Sequence, residues 1–481
     1  MEVRTRFAPS PTGFMHVGNL RTALYEYLVA KSQGGKFILR IEDTDQERIV
    51  EGAVDVIYET LKTAGLTHDE GPDVGGDYGP YVQSERKDMY LPYAEQLIKE
   101  GKAYRCFCTK ERLEKIQSET VGGGYDRHCR DLSQEEIDRL LAQGVPYVIR
   151  QKMPITGKTT FVDAVFGEIT VDNEELQDQI LIKADGYPTY NFANVIDDHT
   201  MGITHVLRGS EYLSSTPKYN LLYEAFSWEI PTYIHLPLIN GKDADGNVSK
   251  LSKRHGSTGF YDLINEGYLP QAIINYIALL GWCPKDNTEI FTLDELTKVF
   301  DISGISKSPA VFDYDKLEWF NGEYIKAMSE DEFVEVAKPY FEKALGDLDI
   351  DYKKLAGILQ QRTTKLTDIE EKIDFFKELP DYDKELFVNK KSKTNFENAP
   401  IMLKAVFDEL SALPSWDHDS IHDALISLSE KLEVKNGTVM WPARISVAGK
   451  TVTPGGAVEI LDILGREESL NRMKIGLEKL A

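Results

Sequence analysis

Strand-forming segments recur up to about Trp319 and almost vanish after it, so no single sheet or bundle accommodates the whole chain. Before that point VRTRFA (3–8), KFILRIED (36–43), THVLRGSE (204–211) and YIHLPLI (233–239) alternate with helical runs such as VDVIYETLKTAG (54–65) and YNLLYEAF (219–226). Alternation of this kind predicts a doubly wound α/β sheet, with helices on both faces and ligands at the carboxyl ends of the strands. Residues 81–185 break the pattern: their β-prone stretches YVIRQKM and TTFVDAVFGEITV predict an inserted α+β module. After Trp319, segments such as EDEFVEVAKPYFEKAL, LKAVFDELSAL and SLNRMKIGLEKL carry apolar residues at helical spacing and predict an all-α region.

Two short cassettes carry the chemistry. In the first, the strand Val3–Ala8 runs through PSPTGFMHVGN (Pro9–Asn19) into a helix that places Leu20, Leu24, Tyr27 and Leu28 on one face. Prolines stiffen such a turn, Gly13 and Gly18 let backbone approach a ligand, and the free N–H groups of the first helical turn suit a phosphate, with His16 placed to donate to it. In the second, the turn-rich NGKDADGN (240–247) precedes KLSKR, which sets Lys250, Lys253 and Arg254 within five residues. Cations on a loop that closes over a polyphosphate stabilise charge that develops as pyrophosphate departs. A surface turn and a solvated basic loop are the bland readings of each cassette taken alone.

Together the cassettes resemble the paired signatures of class I aminoacyl-tRNA synthetases, in HVGN and KLSKR variants typical of the glutamyl branch. RIEDTD (40–45), DEGPDVGG (69–76), YVQSER (81–86), DGYPTYNFAN (185–194), DDHTMG (197–202) and VLRGSE (206–211) extend the resemblance to the bacterial glutamyl-tRNA synthetase family, in family order over nearly the whole chain. It implies a Rossmann-like catalytic domain over 1–80 and 186–325 with a closing loop at 240–256, and a connective insertion over 81–185 that grips the tRNA acceptor end. A helical domain over 326–398 and a C-terminal helical anticodon-binding domain over 399–481 would follow. The implied reaction joins L-glutamate to tRNA(Glu), with tRNA(Gln) as a second acceptor left open, using ATP and Mg²⁺ and passing through glutamyl-adenylate. The resemblance implies a cytoplasmic monomer.

Carried over residue by residue, the resemblance assigns Pro9, Ser10, His16, Gly18, Asn19, Lys250, Ser252 and Lys253 to ATP, with His16, Lys250 and Lys253 catalytic. It assigns Arg6, Ser10, Glu42, Tyr190, Asn194 and Arg208 to glutamate: Arg208 to the side-chain carboxylate, helped by Arg6 and Tyr190, and Glu42 to the α-ammonium. Planar guanidinium forks suit carboxylates because they pair bidentately. Asn19 and Arg254 are departures from the class signatures. Arg362, in LQQRTTKL, falls on the family's anticodon-reading arginine, and Lys390, Lys391, Lys393, Arg444 and Lys450 are candidate phosphate contacts.

Cysteines form a separate constellation. Cys106 and Cys108, with Cys129 inside YDRHCRD, supply three thiolates of a tetrahedral zinc site, and three reduced, partly buried thiols are the equal alternative. Zinc-binding relatives use a tyrosine four residues before the last cysteine, here Tyr125; His128 and Asp131 are the other candidates, and some relatives lack the site. Cys283, in GWCP, reads as core packing.

Charge is the feature least expected of a tRNA partner. The chain has 55 basic and 79 acidic residues, a net charge of −24, with the acidic excess present both before and after Lys326. Phosphate contact must then depend on local basic patches on an acidic body. No run approaches the apolar length of a membrane span, and the N-terminus carries no signal-peptide core, which predicts a cytoplasmic protein without a membrane partner. Three alternatives remain. A glutamyl-queuosine tRNA synthetase lacks a helical anticodon region; a glutaminyl-tRNA synthetase carries β-barrels there; a noncatalytic tRNA-binding paralogue is expected to have lost His16 and the lysines.

Overall fold

The computed structural model describes residues 2–13, 15–45, 49–119, 124–243 and 245–481, apart from the side chains of Gln117 and Lys253. Two compact units divide the chain: Met1–Leu263 with Ile273–Asp313, and Ile264–Ala272 with Tyr314–Ala481.

In the first unit, strand Arg4–Phe7 pairs in parallel with Lys36–Leu39, in the register Arg4 to Lys36 and Phe7 to Leu39. A parallel pair needs a crossover, and the helix Val17–Ser32 supplies it, burying Leu20, Leu24, Leu28 and Val29. On the other side the Thr204 N–H donates to Arg4 O at 3.0 Å and leads into strand His205–Gly209, which runs parallel to Thr232–Leu236. Beyond Lys36–Leu39, parallel bridges from Ile38 to Glu70 and from Ile41 to Val82 extend the sheet. This is the doubly wound pattern, and its central strand RTRF is buried throughout although half of it is arginine. Burial is tolerated because Arg4 forks onto Glu70 at 2.8 and 2.9 Å and Arg6 meets Asp198 at 2.9 Å.

The inserted module has a different boundary from the one expected. Its own antiparallel sheet joins Ala103–Cys106, Val148–Gln151 and Ile180–Ile182. The hairpin Lys158–Asp163 with Gly167–Asp172, expected inside the insertion, attaches instead to the central sheet, where Asp163 lies opposite Tyr233 in a parallel pairing. Segment 81–86 also belongs to the sheet: Tyr81 donates to Glu70 at 2.7 Å, and Arg86 meets Asp197 at 2.7 Å.

The second unit is helical, and its first long helix, Tyr314–Ala327, begins before the expected Lys326. The next, Glu330–Leu345, opens on a capping box in which Ser329 and Glu332 exchange hydrogen bonds. A single apolar core runs from Phe333 through Ile373, Leu403 and Ile445 to Met473. The expected division near Ala399 does not interrupt it, because Arg472, 1% exposed, bonds the carbonyls of Phe375 at 2.6 Å and Val447 at 2.9 Å from the last helix, Arg466–Leu480. Gly449 ends helix Asn436–Ala448 at φ 62°, where an added Cβ would meet Pro380 at 2.8 Å. Among the described residues no helix is long and apolar enough to cross a membrane.

Candidate active site

A cavity of about 370 Å³ opens at the carboxyl ends of the central strands. Arg6 and Phe7 close one strand over it, Glu42 lies just past the next, Arg208 comes from a third, and Tyr190 begins the helix Tyr190–Thr200. Pro9, Ser10, His16, Gly18, Asn19 and Lys250 complete the predicted residues that line it. Asn194 is buried one helical turn after Tyr190 and does not line the cavity. Ser252 stands apart too, its hydroxyl 3.2 Å from His255 Nδ1, and the Lys253 side chain lies outside the described residues.

Charges in this cavity are arranged unevenly. Asp198 Oδ1 accepts from Arg6 Nε at 2.9 Å and from Arg40 Nη1 at 2.8 Å, and Arg40 Nη2 reaches Glu42 Oε1 at 3.0 Å. Arg6 Nη1 also meets Glu26 Oε1 at 3.3 Å. Burial works against the Arg6 charge, but Asp198 and Glu26 more than offset it and hold the guanidinium above its usual pKa. Burial pushes the Glu26 carboxyl well up, and its Oε2 is buried without a partner among the described residues. Glu42 is raised by the same cause, against the pull of Arg40 and Arg6.

Arg208 differs from these arginines. Among the described residues it meets no carboxylate: Nε donates to His235 Nε2 and Nη2 to Thr216 Oγ1, both at 3.3 Å. The rings of Tyr212, Tyr219 and Tyr233 surround the guanidinium at 5.5, 4.4 and 5.2 Å from their centroids. A cation 7% exposed, lining a cavity and facing aromatic rings rather than an acid, has the chemistry to receive an anion.

His16, also in the lining, is the N-cap of helix Val17–Ser32, and its Nδ1 accepts from Gly18 N at 3.0 Å. An accepting Nδ1 carries no proton, so the proton sits on Nε2 as a donor; burial first, then Lys250, hold the ring below its ordinary pKa and keep it neutral. This corrects the expectation that the first-turn N–H groups are free: Gly18 N is taken by His16, and Val17 N donates to Thr258 O at 2.9 Å. Side chains, rather than those amides, are left for a phosphate. NGKDADGN, read from its composition as a turn, is held between paired strands. It forms a hairpin pairing Ile239–Lys242 with Val248–Lys250, and Asp243 ties the turn by accepting from the N–H groups of Asp245 and Asn247.

Cys106, Cys108 and Cys129 converge, with their sulfurs within 4.8 Å of one another and Cys108 and Cys129 at 3.6 Å. Tetrahedral zinc with bonds of about 2.3 Å sets sulfurs about 3.8 Å apart, so the cluster fits the metal. Of the fourth-ligand candidates, only Tyr125 reaches it, with its hydroxyl 3.2 Å from Cys106 Sγ. His128 is exposed, and the Asp131 carboxylate turns to Lys152 at 3.5 Å. Cys283 is exposed rather than packed in the core, because neighbouring Trp282, 1% exposed, takes the inward position in this extended segment.

In the helical unit Arg362 is exposed, donates to Pro454 O, and borders a cavity of about 400 Å³ with Gln361, His418 and Glu459. Lys450 pairs with Asp374 and Arg444 lies over Trp441 at 4.6 Å, so both cations have partners.

Residues 2–319 match the family model "tRNA synthetases class I (E and Q), catalytic domain" and residues 332–477 match "Anticodon binding domain". This chain belongs to the class I tRNA synthetases. The synthetase is 59% identical to the glutamate–tRNA ligase of Clostridium botulinum strain Hall over 483 aligned positions, covering 100% of this chain and 99% of that protein. It is 58% identical to the Clostridium tetani glutamate–tRNA ligase, covering 100% and 98%. A crystal structure of a glutamate tRNA ligase from Elizabethkingia meningosepticum, in complex with its amino acid, superposes with TM-score 0.92 at 37% identity and full coverage of both chains.

Several residues that shape this synthetase's cavity escaped the sequence reading: Glu26, Arg40, Asp198, Asp163 and His235. Glu26 left a trace, as the one acid in the otherwise apolar stretch TALYEYLVA. His235 left none, since its hydrogen-bond partners lie 72, 27 and 19 positions away.

Proposed function

We propose that this synthetase is a glutamate–tRNA ligase that activates L-glutamate with ATP and transfers it to the 3′-terminal adenosine of tRNA(Glu). The observation that carries the amino-acid assignment is Arg208, a buried cavity cation that meets no carboxylate among the described residues and is faced by three tyrosine rings. A substrate side-chain carboxylate would complete it, and its α-ammonium would sit by Glu42, whose Oε2 has no donor among the described residues. With the α-carboxylate then turned toward His16 and Lys250, its oxygen attacks the ATP α-phosphorus. A phosphorus–oxygen bond forms as the bond to pyrophosphate breaks, and the terminal ribose hydroxyl of tRNA later displaces AMP from the acyl carbon.

No side chain need act as nucleophile in this scheme. The residues hold the reacting groups in line, and the His16 Nε2–H with the Lys250 ammonium meets growing phosphate charge. Magnesium bound with the phosphates supplies further charge neutralisation. Lys253 is proposed beside Lys250 on sequence grounds. We assign zinc to Cys106, Cys108, Cys129 and Tyr125 as a structural ion, and anticodon reading to the face around Arg362. A cytoplasmic monomer acting on the tRNA pool is the corresponding cellular setting.

ATP–pyrophosphate exchange, run with glutamate or glutamine and with or without tRNA, tests the reading. Exchange with glutamate alone among the two amino acids, strengthened by tRNA, is expected; exchange driven by glutamine would overturn it.

A further inference from the structure

Strand Lys158–Asp163 brings a carboxylate behind the cavity wall that the cavity itself never exposes. Asp163, 1% exposed, accepts four hydrogen bonds: Oδ1 from the N–H groups of Val165 at 2.9 Å and Phe166 at 2.8 Å, Oδ2 from His235 N at 3.1 Å and His235 Nδ1 at 2.7 Å. The His235 ring is fully buried, and its far nitrogen faces Arg208 Nε at 3.3 Å. A carboxylate on Nδ1 fixes the tautomer, so the proton is at Nδ1 and Nε2 is an acceptor.

We propose that Asp163 and His235 form a positioning and specificity device for the acidic side chain of the substrate, aiming Arg208 at the cavity without neutralising it. This rests on the reading of Arg208 as the carboxylate receptor.

Two consequences follow from the geometry. First, a guanidinium whose Nε–H is already taken has its Nη edge left for end-on, two-toothed pairing with a carboxylate. Thr216 Oγ1 holds one side of that edge at 3.3 Å, and Nη1 meets no protein acceptor among the described residues. Second, an imidazole accepts the bond while adding no negative charge, whereas an acid in its place would cancel the cation, as Asp198 does for Arg6. The Asp163 charge is held a ring's width away and spent on four donors. An uncancelled guanidinium favours a carboxylate over the isosteric carboxamide, so the pair contributes to choosing glutamate over glutamine.

Paired substitutions test this in the full-length protein with tRNA present, read as separate KM values for glutamate and ATP, with the melting temperature as control. His235→Asn places an amide where Nδ1 stood and removes the Nε2 acceptor. His235→Gln restores an acceptor at the Nε2 position. Asp163→Asn can donate to Nδ1, which releases the tautomer whose proton faces Arg208. Losing an acceptor on a charged donor corresponds to about tenfold or more. We therefore expect His235→Asn and Asp163→Asn to raise the glutamate KM by about that factor and to narrow the preference over glutamine, with the ATP KM within about twofold. His235→Gln should recover most of the loss.

An unchanged glutamate KM in His235→Asn, a parallel rise in both KM values, or no recovery in His235→Gln would overturn the proposal. Arg208→Gln separates the two readings. If it too leaves the glutamate KM unchanged, the assignment of Arg208 has failed; if it alone impairs glutamate, only the positioning role has.

Discussion

Replacing Arg208 by lysine keeps the charge and removes the fork, which isolates what the arrangement around this residue contributes. Lysine is a point charge on a flexible stem, so it cannot bond His235 and two carboxylate oxygens together. It also leaves the rings of Tyr212, Tyr219 and Tyr233 without the flat cation now 4.4 to 5.5 Å from them. A charge-assisted hydrogen bond contributes roughly 1.5–3 kcal/mol, and one such bond is lost from the substrate carboxylate. At about 1.4 kcal/mol per factor of ten, kcat/KM for glutamate should fall about 10- to 150-fold. Steady-state charging at varied glutamate and at varied ATP provides the assay. The loss should appear in the glutamate dependence, with the ATP KM within about threefold of the parent. Unaltered kcat/KM for glutamate in a folded Arg208→Lys protein would refute the carboxylate assignment.

Other expectations follow from neighbouring features. His16→Asn retains a side-chain acceptor for Gly18 N but loses the Nε2–H, so turnover should drop about 10²-fold with the melting temperature held; His16→Ala should lose turnover and, with the cap gone, about 1 kcal/mol of stability. Metal analysis of the purified protein should find one zinc per chain, lost in Cys129→Ser and weakened in Tyr125→Phe. Arg4, followed by Tyr81 and Lys36, holds the Glu70 carboxyl at about 2, against the opposing effect of burial. Because that pKa is depressed, the stabilisation is present above the unfolded value near 4.5 and is lost as pH falls through about 2. In denaturant titrations, Glu70→Gln should therefore be less stable than the parent by roughly 3 kcal/mol at pH 7, with the difference shrinking below pH 4.5.

The parts of this molecule legible in its sequence are those coded locally. Apolar spacing from Leu20 to Leu28 and the β-prone VRTRFA run mark the first helix and strand, and a parallel sheet follows because such neighbours need a crossover. Cysteine spacing marked the thiol cluster in the same way. Pairings between distant segments were not legible. Hairpin 158–172 reads as part of the insertion until Asp163 is seen against Tyr233 and His235, since an edge strand carries no mark of the sheet it joins. The N–H groups of Val17 and Gly18 looked free because neither Thr258 O nor the His16 Nδ1 lone pair can be read from turn composition. The exposure of Cys283 is not legible either, because alternation in a short extended segment depends on which residue, Trp282 here, takes the interior.

A net charge of −24 and tRNA binding are compatible on the same reasoning: net charge describes the whole chain, whereas recognition depends on where uncancelled cations lie. Arg4, Arg6, Arg40 and Arg86 are spent on internal acids, and Arg208 meets none among the described residues. The site is thus distinguished less by the number of its basic residues than by cations such as Arg208 that meet no acid among the described residues.

Charging of purified tRNA(Glu) with labelled amino acids tests the central claim most directly. Glutamate should become attached to the 3′-terminal adenosine with release of AMP and pyrophosphate, while glutamine gives no charged product. Absence of glutamyl-tRNA from the active, folded protein, or glutamine attached in its place, would contradict the account.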